Sequence, residues 1–154
     1  GKSSILKLIL EQAGIKEDSQ IRMIEGSLEI GSGLKISYIS QTTAHLKGSL
    51  KEYAKMWQVE ESLLKALLRK LDFSREQFDK NLEYYREGQK KKVLIARSLC
   101  EKAHLYIWDE PLNYIDIYSR MQIEELIRIW SPTLLCVEHD RAFGADVGAE
   151  TIKI

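Results

Sequence analysis

Apolar residues at Ile5, Leu6, Ile9 and Leu10 recur at helical spacing and stop before Gly14, which predicts a helix over 3–13 closed by a left-handed cap. Two short runs, Leu28-Glu29-Ile30 and Lys35-Ile36-Ser37-Tyr38-Ile39, flank Gly31-Ser32-Gly33 and read as strands joined in a hairpin. From Leu50 to about Phe78 the period becomes helical again, with Leu63, Leu64, Leu67, Leu68 and Leu71 forming one stripe. A further helix is expected over 87–101. It would bury Val93, Ile95, Ala96, Leu99 and Cys100, leave Lys90 and Arg97 on the opposite side, and carry Lys90-Lys91-Lys92 as a solvated first turn. Leu105 to Trp108 and Thr133 to Val137 are short apolar runs that end in polar residues, Asp109-Glu110 and Glu138-His139-Asp140. That is the pattern of buried parallel strands delivering side chains to one edge of a sheet. Between them, Ser119 to Trp130 reads as a crossover helix ended by Ser131-Pro132. The class is α/β, with a parallel core sheet and an inserted helical subdomain over about 45–85.

Composition narrows the picture without deciding it. At 154 residues the chain is the size of one domain, and a globular chain of that length buries roughly 70% of its unfolded surface. Lys plus Arg number 23 and Asp plus Glu number 23, so no overall basic field points to nucleic acid or an anionic membrane, and any RNA contact would be local. Cys100 and Cys136 are far apart and form no C-x-x-C. Reduced, buried thiols and a cytoplasmic setting are the expectation. No stretch approaches the ~20 apolar residues of a membrane span.

The polar residues that punctuate this pattern carry the chemistry. Gly1-Lys2-Ser3-Ser4 has the residues that end a phosphate-binding loop: a lysine for the β/γ-phosphates and a hydroxyl for Mg²⁺, placed at the amino end of a helix whose free amides favour an anion. Because the loop's earlier glycines and its strand lie outside the sequence, the chain by itself is expected to be inactive, to bind ATP poorly and to leave the strand over 133–137 with an open edge. Gln41, just after the second strand of the expected hairpin, offers an amide to a metal ion and a water. Asp109 would hold Mg²⁺, and Glu110 would orient or deprotonate an attacking water. His139 would donate to a γ-phosphate. Each piece has a plainer reading in isolation. Asp-Glu-Pro suits a helix entry, a histidine after a strand is often structural, and Gly-Lys-Ser occurs by chance. His45, His104 and the tryptophans are read as packing or surface residues. Chance does not account for all the pieces in this order.

With Glu87-Gly88-Gln89-Lys90-Lys91-Lys92-Val93-Leu94-Ile95-Ala96-Arg97 followed by Trp108-Asp109-Glu110-Pro111-Leu112-Asn113-Tyr114-Ile115-Asp116, the chain resembles an ATP-binding-cassette domain along essentially its whole length. It is most similar to the second cassette of ABC-F proteins, in particular the Lsa- and Vga-like antibiotic-resistance branch that protects ribosomes, with Trp-Asp-Glu-Pro-Leu-Asn and the following Ile-Asp as the specific part. The resemblance implies a partial ABC ATPase domain over 1–154 that begins inside Walker A, with the signature helix, Walker B, D-loop and switch histidine over 86–154. It assigns Gly1, Lys2, Ser3 and Ser4 to Walker A, Gln41 to the Q-loop and Arg86, Glu87, Gly88 and Gln89 to the signature. It further assigns Asp109 and Glu110 to Walker B, Asn113 to Asp116 to the D-loop, and His139 to the switch. Glu110, His139 and Gln41 would be catalytic, the Walker A and signature residues and Asp116 would contact nucleotide, and Ser3, Gln41 and Asp109 would hold Mg²⁺.

In such proteins two cassettes meet head to tail and share two ATP sites, so the implied partners are a second cassette, expected in the same polypeptide, and a ribosome. A transporter's nucleotide-binding domain and an ATP-gated clamp without hydrolysis are the competing functions. The usual signature Leu-Ser-Gly-Gly-Gln reads here Tyr85-Arg86-Glu87-Gly88-Gln89. Arg86 offers a cation but not a short hydroxyl, and Glu87 adds charge where glycine left the backbone free, so slow hydrolysis at one of the paired sites is expected.

Overall fold

The computed structural model describes residues 1–15, 22–23 and 25–153. Helix α1 (Lys2–Gln12) ends as the sequence predicts, since Gly14 adopts φ 80°. Its N–H donates to the Glu11 carbonyl at 3.0 Å and the Ile15 N–H donates to the Leu10 carbonyl at 2.9 Å. This paired closure needs a left-handed residue, which glycine adopts without steric cost.

Three strands, β1 (Ile36–Ile39), β2 (Leu105–Asp109) and β3 (Leu134–Val137), form a parallel sheet in the order β1-β2-β3 among the described residues. Tyr38 lies opposite Ile107, and Ile107 opposite Leu135. Alternation along β2 then splits the core in two. Leu105 and Ile107 face α1 and pack with Leu6, Leu10 and Val137. Tyr106 and Trp108 face the other way, into a larger cluster with Val93, Leu94, Ile95, Leu99, Ile123 and the leucines of the helical insertion. Both faces are covered, so the strand is apolar at every position up to its acidic end.

The insertion contains α2 (Leu50–Met56) and α3 (Glu61–Lys70), followed by 3₁₀ turns at Arg75–Asp79 and Leu82–Tyr84. Ser49 caps α2 in a reciprocal box, its hydroxyl accepting from the Glu52 N–H at 3.1 Å and Glu52 Oε2 accepting from the Ser49 N–H at 2.9 Å. Of the leucine stripe, Leu64, Leu67, Leu68 and Leu71 are buried, whereas Leu63 is exposed. Helix α4 (Glu87–Cys100) lies between insertion and sheet, and α5 (Ile117–Trp130) and α6 (Arg141–Asp146) complete the fold.

Three expectations are corrected. The hairpin does not form: Leu28 to Ile30 is irregular, and β1 pairs in parallel with β2 instead. Three residues make a weak local partner, whereas pairing with β2 also lets β1 bury Ile39 and Ser37. The helical run over 50–78 is broken at Gln58, which has φ 54°. Finally, Lys91, Lys92 and Arg97 are buried rather than solvated, because α4 is covered on all sides.

Trp108 and His104 have the packing roles expected of them. Trp108 is fully buried and donates its indole N–H to Ser98 Oγ at 2.8 Å, and His104 Nδ1 accepts from the Lys35 N–H at 2.8 Å, tying the entries of β1 and β2.

Candidate active site

Parallel strands place their carboxyl ends on one edge, so Gln41, two residues past β1, Glu110, one past β2, and His139, two past β3, converge there. The Glu110 carboxylate is the meeting point. Gln41 Nε2 donates to its Oε2 at 2.9 Å and Asn113 Nδ2 to the same oxygen at 3.1 Å. His139 Nε2 lies 2.9 Å from Oε1. Either an ε-protonated neutral imidazole or an imidazolium can make that bond to an ionised carboxylate. Burial by itself raises the Glu110 pKa, but the hydrogen bonds from His139 and Asn113 and the charges of His139 and Lys91 outweigh it and hold the carboxyl below its ordinary value. Glu110 also sits at φ 49°, a left-handed conformation that costs a side-chain-bearing residue roughly 1–2 kcal/mol. Its N–H is anchored on the Val137 carbonyl at 2.9 Å.

The amino end of α4 forms the adjoining wall. Lys91 is only 2% exposed, and its Nζ donates to the Gln41 carbonyl at 2.7 Å and the Glu110 carbonyl at 3.3 Å. Burial lowers its pKa, opposed by the carboxylates of Asp109, Glu110, Glu87 and Glu138. Thr43 Oγ1 donates to Glu87 Oε2 at 2.6 Å. A cleft of about 470 Å³ opens between Gln41 to Ala44, the start of α4, and Asn113-Tyr114. Gly88 is backed directly by the main chain of Tyr114, where a Cβ would collide with the carbonyl oxygen.

The other sequence-predicted residues fall in four places. Gly1, Lys2, Ser3 and Ser4 form the amino end of α1, which has no side-chain cap bond from Gly1 and no acidic residue in its first turn. Amides left open in this way suit an anion. Leu6 and Leu10 of the same helix pack on Ile107 and Val137, each two residues before a predicted site residue. Asp109 ends β2 and is 4% exposed. Arg86 is the N-cap residue of α4, with its N–H donating to Gln89 Oε1 at 3.0 Å, so Gln89 serves the helix start. Asp116 is committed to the fold: it caps α5 by accepting from the Ser119 N–H at 2.7 Å and pairs with Lys92 Nζ at 2.8 Å.

The side chains expected to hold Mg²⁺, the Asp109 carboxylate, the Ser3 hydroxyl and the Gln41 amide, would each offer that ion an oxygen, the ligand type it takes alongside phosphates. Among the described residues, no group of three or more His, Cys, Asp or Glu side chains is arranged to hold a metal.

Sequence reasoning misses Asn113 as a partner of Glu110 and misses Lys91 as a buried neighbour of the site. A signal for Lys91 was present, because four consecutive apolar residues, Val93 to Ala96, encircle a helix whose residues step by about 100°. A helix covered on every side must bury some of its cations.

The sequence model of the ABC transporter family matches residues 1–113. The chain belongs to that family. Its relatives include the ribosome protection protein VmlR of Bacillus subtilis, 30% identical over 149 residues that cover 93% of this chain and 25% of VmlR. Another is the ABC transporter F family member 2 of Arabidopsis thaliana, 26% identical over 161 residues, covering all of this chain and 22% of its own length. Among solved structures, the archaeal ribosome recycling factor aABCE1, in complex with the stalk protein aP1, superposes with a TM-score of 0.72 at 26% identity over 96% of this chain and 28% of that one. The fold is that of ABC ATPase domains, and the chain spans about a quarter of the length of the curated relatives it matches. No helix among the described residues is long and apolar enough to cross a membrane.

Proposed function

We propose that this chain is a cassette that binds and hydrolyses ATP within an ABC-F type protein acting on the ribosome. The observation that carries the hydrolytic part is the convergence of Gln41, Asn113 and His139 on the Glu110 carboxylate. A carboxylate offers about four lone-pair sites. Three are engaged by side chains, leaving one to receive a water. Glu110 stays ionised across the neutral range, since its pKa is held down. It therefore orients the attacking water strongly and draws its proton weakly. Lys2 and the open amides of α1 hold the phosphates, while Ser3, Gln41 and Asp109 are the ligands for Mg²⁺. The metal, when bound, offsets charge on the β- and γ-phosphate oxygens. His139 moves from Glu110 to the γ-phosphate oxygen when nucleotide is present.

The ribosomal part rests on similarity to VmlR and aABCE1, whose names refer to ribosome protection and ribosome recycling. Countering an antibiotic is the finer form of the same proposal. A clamp that closes on ATP and hydrolyses it slowly is the second reading, favoured by the low pKa of Glu110 and by the engagement of Glu87 with Thr43.

The test uses the full-length protein. Glu110→Gln should lower single-turnover hydrolysis by ~10²–10⁴-fold while ATP affinity is kept, and should trap the protein on ribosomes in an ATP-dependent sedimentation assay. Unchanged turnover removes Glu110 from the reaction. Sedimentation with membranes in place of ribosomes favours a transporter domain.

A further inference from the structure

We propose that Lys91 is a positioning residue of the hydrolytic site, fixing the distance between the main chains that carry Gln41 and Glu110. The inference rests on the hydrolytic reading above. Lys91 is buried in the second turn of α4, and its ammonium bridges two carbonyls that belong to residues 50 and 19 positions away in the sequence. Those carbonyls are on the two residues whose side chains meet, Gln41 Nε2 donating to Glu110 Oε2 at 2.9 Å. The result is a closed ring in which the lysine ties the backbones and the amide ties the side chains. Neither β1 nor β2 alone sets that spacing, because both residues lie beyond the last paired positions, Ile39 opposite Trp108.

The backbone of Glu110 gives the lysine a specific task. At φ 49° the residue occupies a conformation that extended or helical alternatives outcompete. Val137 holds its N–H and Lys91 holds its C=O, so the peptide groups on both sides are pinned and the carboxylate is aimed at the water position. An apolar side chain of similar length would fill the same space without the desolvation cost of an ammonium. What the cation adds is the bridge. The same helix grips the Gln41 segment a second time one turn earlier, where Glu87 accepts from Thr43. Displacement of the amino end of α4, next to Arg86, is thereby passed to Gln41 and Glu110.

The experiment uses the full-length protein with Lys91→Met, which keeps the unbranched stem, and measures single-turnover ATP hydrolysis, equilibrium binding of a fluorescent non-hydrolysable ATP analogue, and thermal unfolding. Misplacing a reacting group by about 1 Å can cost ~10²-fold, so a fall of roughly 10- to 100-fold in rate is expected with analogue affinity within about threefold. Lys91→Arg should recover a large part of the loss. In a Glu110→Gln background, Lys91→Met should add little, because a residue acting through Glu110 has nothing left to position. A purely structural role would instead lower the rate by the same factor in both backgrounds, and that result overturns the proposal. Should Lys91→Met lose its cooperative melt, Lys91→Gln, which keeps a donor on a shorter stem, carries the same test: a fall in rate that disappears in the Glu110→Gln background supports the role, and a wild-type rate or an equal fall in both backgrounds overturns it. If Lys91→Met is inert while Glu110→Gln is dead, the positioning role fails and the hydrolytic reading stands. If Glu110→Gln is also inert, both fail.

Discussion

Replacing Arg97 with methionine tests whether a buried cation joins the helical insertion to the sheet. Arg97 is 2% exposed and sits where three elements meet. Its Nε donates to Tyr53 Oη of α2 at 3.2 Å, its Nη2 to the Tyr38 carbonyl of β1 at 3.0 Å, and its Nη1 to Glu101 Oε1 at 3.3 Å. The guanidinium also stacks on the Trp57 ring, 3.9 Å from the centroid. Methionine keeps most of the stem volume, so the cavity contribution is small. The cost comes from the groups left behind, chiefly the Glu101 carboxylate, whose side chain is 10% exposed, and the Tyr38 carbonyl. Removing one partner of a buried ion pair costs ~3–5 kcal/mol, against a total domain stability of ~5–15 kcal/mol. At ~2–4 °C per kcal/mol for a domain of this size class, the melting temperature should fall by about 6–20 °C.

The assay is thermal unfolding of the full-length protein, with hydrogen exchange resolved to peptides from α2 and α4 so that loss is assigned to this cassette. The pair Arg97→Met with Glu101→Gln should be more stable than Arg97→Met alone, because the second change removes the stranded charge. A single variant that melts within about 1 °C of wild type, with α2 exchange unaltered, refutes the reasoning, since a fall of that size corresponds to less than ~1 kcal/mol.

Two further outcomes concern Asp116 and Gly88. Burial raises the Asp116 pKa, but the hydrogen bonds from Lys92 and Ser119 and the Lys92 charge together outweigh it and bring the pKa down to about 2, compared with ~3.9 in an unfolded chain. A depressed carboxylate contributes stability that is complete above about pH 4 and is lost as the pH falls through about 2. Asp116→Asn, which retains a capping side chain, should therefore flatten the dependence of the urea midpoint on pH across that window, and an unchanged slope counts against the Lys92 pair. Gly88→Ala should destabilise by ~1–3 kcal/mol, because the new methyl meets the carbonyl of Tyr114, itself held at φ 65°. A wild-type melting temperature for that variant means the Asn113-Tyr114 turn yields freely.

Much of the architecture was written locally. Gly14 marked the end of α1 because its closure is made by residues within one turn. The apolar run of β2 ending in Asp109-Glu110 marked a buried parallel strand with chemistry at its carboxyl edge, since covering both faces of a sheet leaves no polar position until the strand leaves it. His139 was legible on the same ground, lying just beyond a short apolar strand, whereas Gln41 followed a strand whose sequence pointed to a hairpin and whose parallel pairing with β2 only the tertiary structure decided. What the sequence could not decide was anything that depended on which surface covers which. Leu28 to Ile30 carries a strand-like pattern, yet β1 took its partner from residues 105–108. Lys91, Lys92 and Arg97 look like the solvated side of an amphipathic helix until the insertion, the sheet and α5 close around α4. Only then do their charges require Glu110 and Gln41 carbonyls, Asp116, Tyr53 and Glu101 as partners. Periodicity records the faces that repel water along one element, whereas the burial of a cation is decided by charges and carbonyls brought from elements tens of residues away.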